Sequence, residues 1–148
     1  MNILKPIFKA YQKAELRNWD TIYWAIDLHD TVIKPSYDND VDGEFYPYAK
    51  EVLRMLSNKK HIKLILYSCS YDEPMRIFIE EMKQEGIIFD FFNENPEAKD
   101  TTYGTYEKKL YFNIILEDKA GFEPEKDWEV IYNYLSRNID DLERMYIK

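Results

Sequence analysis

The sequence predicts a single α/β domain, a Rossmann-like three-layer arrangement around a mostly parallel central sheet. Two observations point there first. Apolar runs of strand length alternate with stretches whose apolar residues recur at helical spacing. Two of those runs, TIYWAID (21–27) and IKLILYS (62–68), are apolar or nearly so on both faces, as strands covered on two sides must be. A third observation concerns organisation. No repeat, low-complexity tract or composition shift marks a linker, and 148 residues are enough for one core. The reading assigns residues 1–148 to one domain, with 1–19 a helical extension, 20–135 the core and 136–148 a tail.

Taken in order, Leu4, Ile7, Phe8 and Tyr11 lie at i, i+3, i+4, i+7 and predict an amphipathic first helix. The first strand, 21–27, is β-branched and aromatic until Asp27. A polar stretch follows (34–47), and Pro47 opens a helix with Ala49, Val52, Leu53 and Leu56 on one side. After the second strand, Asp72, Glu73 and Pro74 mark a helix start, Met75, Phe78, Ile79 and Met82 its buried face, and Gly86 its stop. IIFDFFN (87–93) and YFNIILED (111–118) read as the third and fourth strands. Trp128, Ile131, Tyr132 and Leu135 define a last main helix, followed by a short amphipathic tail.

Composition excludes several classes of function. The formal charge of −8 argues against a nucleic-acid or anionic-membrane surface as main partner, since such binding needs clustered Lys and Arg. A small phosphate ester remains compatible. No apolar run approaches ~20 residues, so no membrane span is expected. The lone Cys69 cannot form an internal disulfide, which makes a reducing cytoplasm the simplest setting.

In parallel α/β sheets, ligands bind beyond the carboxyl ends of the strands. The predicted strands end in Asp27, Ser68, Asn93 and the pair Glu117–Asp118. Converging carboxylates repel, so a cation is their natural companion, and a few hard oxygens suit Mg²⁺. Lys108 or Lys109, just before the fourth strand, could balance a bound phosphate. The competing reading is structural. Asp and Ser after strands are frequent turn and capping residues, and spacing alone leaves the two readings even.

The order of these residues resembles the haloacid dehalogenase-like (HAD) superfamily, mostly phosphatases with an aspartate nucleophile. Asp27–Val32 fits the family's Asp-x-Asp-x-Thr/Val motif, except that His29 stands where the second Asp is expected. LILYS supplies the strand ending in Ser68, Lys109 (less well Lys108) the lysine, and NIILED the acidic pair Glu117–Asp118. The resemblance implies a phosphate monoester substrate and an aspartyl-phosphate formed on Asp27. It implies Mg²⁺ held by Asp27, Asp118 and the His29 carbonyl, with Glu117 acting through water or orienting the loop. Thr31, Ser68 and Lys109 would hold phosphate oxygens. Asp27 is expected to stay ionised at neutral pH beside a cation and a lysine.

His29 admits three readings. It replaces the second Asp as acid and base, a role for which an imidazole titrating near 6.5 is suited. Alternatively, catalysis proceeds without a side-chain acid, with Asp30 as a candidate helper, although a turn role pointing away suits it better. Or the chain is a catalytically inactive protein that binds a phosphorylated ligand or a protein partner. The connections are too short for a cap domain, so the site should be open, closed at most by segment 36–47, the 93–106 loop or a second subunit of a homo-oligomer. Asn93, Asn95, Tyr103 and Tyr106 are the candidate lid and specificity groups. Asp38, Asp40 and Asp42 read as a solvated turn, His61 as a solvated residue at the far end of the sheet, and Cys69 as a small buried thiol.

Overall fold

In the computed structural model, which describes residues 2–35 and 43–148, the chain folds as α1 (Leu4–Arg17), β1 (Ile22–Asp27), α2 (Ala49–Ser57), β2 (Ile62–Tyr67), α3 (Asp72–Gln84), β3 (Phe91–Phe92), β4 (Ile114–Leu116) and α4 (Pro124–Tyr146). A 3₁₀ turn at Asp118–Ala120 joins β4 to α4. The sheet is parallel throughout, in the order β3-β2-β1-β4. This is the expected Rossmann-like α/β class. Strand order reverses between β1 and β4, and that switch point is where a parallel sheet opens a crevice for ligands.

The core follows from alternation along the strands. Ile22, Trp24 and Ile26 of β1 face the same way as Leu64 and Leu66 of β2 and Ile114 and Leu116 of β4. All four helices contribute to the cluster that buries them, among others through Tyr11, Leu53, Phe78 and Trp128. Right-handed crossovers send the β3–β4 connection over the opposite face. There Tyr111 packs edge-on against Tyr23 of β1 and against Tyr106, and Tyr23 Oη donates to Glu97. The layer on that face is thus made by the irregular stretch 93–113.

Several elements differ from their predicted extent. The predicted third and fourth strands shrink to two and three residues. The reason lies in Asx side chains that replace ladder bonds. Asp90 N–H donates to Leu64 O while its Oδ2 accepts from Leu64 N–H. Asn93 does the same between Leu66 O and Ser68 N–H, and Asn113 with both backbone groups of Tyr23. The predicted tail is no tail, because α4 runs unbroken for 23 residues. No Gly or Pro interrupts it after its N-terminal Pro124, and Trp128, Ile131, Leu135, Ile139 and Leu142 continue one buried stripe. The N-terminal extension is part of the core, since Ile7, Ala10, Tyr11 and Ala14 of α1 are buried.

His61 corrects another expectation. It lies at the amino end of β2, far from the strand ends that carry carboxylates, but it is buried rather than solvated. Nε2 lies 2.7 Å from Tyr11 Oη and Nδ1 3.1 Å from Glu143 Oε2. Burial keeps Tyr11 protonated, its phenol pKa well above the usual value. Because Nδ1–H of the neutral His61 ring donates to the Glu143 carboxylate, Nε2 is left to accept the Tyr11 O–H. Among the described residues, no helix is long and apolar enough to cross a membrane.

Candidate functional site

β1 ends at Asp27, and the chain turns at once. Leu28 O accepts from Val32 N–H at 2.8 Å and Ile33 N–H at 3.1 Å, closing a tight loop with Asp30 in the left-handed region at φ 62°. Leu28, Val32 and Ile33 are fully buried and pin that loop to the core. Thr31 is buried too, and its hydroxyl does two jobs. It donates to Asp27 Oδ2 at 3.2 Å and accepts from Asp118 N–H at 3.1 Å. The Trp128 indole donates to Thr31 O at 2.7 Å. One threonine, held by α4, therefore fixes the end of β1 against the end of β4.

Because of that stitch, a carboxylate oxygen from each of Asp27, Glu117 and Asp118 lies within 4.8 Å of the others. All three residues are half-buried. Burial pushes the Asp27 carboxyl up from 3.8 to about 6, with a further push from Glu117 and Asp118, although bonds from Thr31 and the Leu28 backbone oppose the rise. Asp27 is thus ionised at neutral pH but costs free energy in that state. A small set of hard oxygen donors with unrelieved like charge suits Mg²⁺, so the residues present fit that ion.

A cavity of about 330 Å³ opens above these groups. Asp27, His29, Asp30, Glu117 and Asp118 line it from the β1 and β4 side, and Tyr67, Ser68, Cys69 and Asn93 from the β2 and β3 side. Ser68 is clamped there, because Asn93 accepts its N–H at 2.9 Å and donates to its carbonyl at 2.6 Å. The structure thus brings together Asp27, His29, Ser68, Glu117 and Asp118, with Thr31 directly beneath.

Other expected residues fall elsewhere. Lys109 is exposed on the β3–β4 connection and does not line this cavity. Lys108 lines a neighbouring groove with Asn95 and Tyr106, and Tyr67 and Asn93 are common to both. Tyr103 points into solvent at 98% exposure. Asp38, Asp40, Asp42 and most of the 36–47 lid lie outside the described residues. Asp30, expected to point away, lines the cavity. Cys69, expected buried, is exposed at its rim, since a residue just past the end of β2 has left the sheet. Lys119, outside the expected set, also lines the cavity. Its only sequence signal is its place directly after Asp118.

Comparison with known proteins adds to the fold. The chain is similar to a solved structure described as that of a conserved protein coded by a locus of Bacteroides thetaiotaomicron. The TM-score is 0.59 at 25% identity, over 80% of this chain and 92% of that one. No family profile matches the sequence, and no curated protein matches it either.

Proposed function

We propose that the chain is a Mg²⁺-dependent phosphohydrolase of the HAD type that cleaves a phosphate monoester through Asp27. The observation that carries this reading is the convergence of Asp27, Glu117 and Asp118 beside Ser68 in one cavity at the switch point. Asp27, Asp118 and the His29 carbonyl would hold the ion, and Glu117, whose carboxylate lies beside theirs, would support it. When bound, Mg²⁺ offsets the like charge of the carboxylates and of the phosphate.

The chain's own groups then divide the work. An Asp27 carboxylate oxygen attacks phosphorus, and the bond from phosphorus to the leaving oxygen breaks as protonated His29 donates its proton to that oxygen. Neutral His29 next takes a proton from water, whose oxygen attacks phosphorus and releases Asp27 as the carboxylate. Ser68 donates to a phosphate oxygen from a position that Asn93 fixes, so no reorganisation is needed during the reaction. Lys119 supplies the positive charge on the cavity wall.

Release of phosphate from an aryl phosphate and from a panel of nucleotides and sugar phosphates, with and without Mg²⁺, tests the proposal. Mg²⁺-dependent turnover that Asp27→Asn lowers by ~10³-fold or more is expected. Turnover indifferent to Asp27→Asn would refute it. The second reading, an inactive binding protein, draws on His29 standing at the acid/base position and on Lys109 lying outside the cavity. It predicts saturable binding of a phosphorylated ligand without turnover at any pH.

A further inference from the structure

A second cavity, of about 280 Å³, lies between α1 and the approach to β4, toward the amino end of the sheet. Lys9, Lys13 and Arg17 form one wall, and Trp19, Tyr111 and Phe112 the other. Among the described residues, it shares no lining residue with the carboxylate cavity. Three features set it apart on a chain of net charge −8. Among the described residues, no carboxylate lines it. Among the described residues, none of its three cations has an acidic partner within ion-pair distance. And its aromatic wall is only half-buried, so ring surface is left to a ligand.

The cations are ordered along the helix. Positions 9, 13 and 17 repeat every fourth residue, so successive charges sit about 6 Å apart along one face. Arg17 lies over the Trp19 ring at 5.8 Å, which combines a cation and a flat ring at one end of the groove. Lys13 and Lys9 lead away from that end, and away from the carbonyl-rich terminus of α1, where an anion is disfavoured. The groove therefore has a stacking end and a phosphate end. Its volume suits one ring-bearing ligand rather than a long polymer.

We propose that this groove binds a nucleoside phosphate, its base against Trp19 and Arg17 and its phosphates along Lys13 and Lys9. The ligand is a free nucleotide or the terminal nucleotide of a single strand, since the chemistry is the same. An acidic peptide or inorganic phosphate would use the lysines and leave the aromatic wall idle. The site is independent of catalysis at Asp27.

Titration of the full chain with adenosine diphosphate in metal-free, low-salt buffer tests it, followed by calorimetry and tryptophan fluorescence. Trp24 and Trp128 are fully buried, so Trp19 is the tryptophan a ligand can reach. Saturable binding with a change in emission is expected, weakened ~10-fold or more by Lys9→Ala/Lys13→Ala, as the loss of a charge-assisted contact implies. Trp19→Leu should weaken binding in the calorimeter and remove the optical signal. These side chains are exposed or half-buried, and circular dichroism checks that the variants fold. Tighter binding of a 5′-phosphorylated octathymidylate identifies a strand end as the source, and weaker binding a free nucleotide. Absence of binding, equal affinity in the double-lysine variant, or equal affinity for inorganic phosphate or an oligoglutamate peptide would overturn the proposal.

Discussion

The two ends of the sheet treat the polar side chains set into the core in opposite ways. At the amino end, Tyr11, His61 and Glu143 form a chain in which each donor meets an acceptor, and Lys59 pairs with Asp140 beside it. At the carboxyl end, Asp27, Glu117 and Asp118 crowd together, and Thr31 satisfies only part of their capacity. The same strands and the same core support both arrangements. The paired groups at the amino end serve the fold, whereas the like charges at the carboxyl end are left in tension, as the proposed Mg²⁺ site would require. Stability and activity should therefore respond in opposite directions at the two ends.

On the proposed phosphohydrolase reading, the largest effect after that of Asp27→Asn is expected at His29. If its imidazole is the acid and base, His29→Ala should lower kcat ~10²–10⁴-fold, the usual range for that role. His29→Asp, which installs the residue that HAD phosphatases carry at this place in their motif, should on the proposed reading retain far more activity than alanine. Alanine equal to wild type would reduce the role of this position to its carbonyl. Neither variant should move the unfolding midpoint much, because the side chain is only half-buried.

Substitutions at the two ends should then separate in denaturant. His61→Ala removes a buried ring and strands Tyr11 Oη, so a loss of about 2–3 kcal/mol is expected with turnover retained. Asp27→Asn removes one charge from a repelling set, so in metal-free buffer a gain of about 1 kcal/mol is expected with turnover lost. Urea titrations of both variants against wild type check the pair. A destabilised Asp27→Asn would mean that the cluster supports the fold.

Acid titration sharpens the same contrast. Burial lowers the His61 pKa below its ordinary 6.5, against the opposing pull of Glu143. The unfolded chain thus takes up that proton first, and the stability from neutral His61 is full above about 6.5 and lost as pH falls below it. Asp27 has the reverse sign. Its carboxyl is raised from 3.8 to about 6, so the folded chain takes up the proton first. The penalty of the buried charge is full above about 6 and relieved as pH falls toward 3.8. His61→Gln should flatten the loss of stability below neutrality, and Asp27→Asn should steepen it.

The carboxyl end was the more legible of the two in the sequence. Asp27, Ser68, Glu117 and Asp118 each close an apolar run, and a strand that stops at a polar residue advertises its end. The amino end gave no such signal, because His61 sits in NKKHIK among charges and its burial depends on Tyr11 and Glu143, at separations of 50 and 82 residues. Strand lengths were overestimated for a related reason. Asp90 and Asn113 look like strand interior or turn in sequence, and only the pairing partner reveals that their side chains take over the ladder. The α1 groove was invisible for its own reason: Lys9, Lys13 and Arg17 look like an ordinary solvated face until Trp19 and Tyr111 are brought opposite them.

The smallest expected effect distinguishes two lysines. The motif order that resembles HAD phosphatases would assign a phosphate to Lys109, whereas the cavity wall contains Lys119. A flexible ammonium at an exposed rim contributes charge more than fixed geometry, and its effect is screened by salt. Lys119→Ala should therefore raise KM several-fold with kcat nearly unchanged, by about 1 kcal/mol of binding at low salt and less at high salt. Lys109→Ala should leave both constants close to wild type. The opposite ranking would mean that the β3–β4 connection closes over the substrate. Lys109 would then reach the phosphate only in the bound state, and the stretch that covers one face of the sheet would also be the lid of the site.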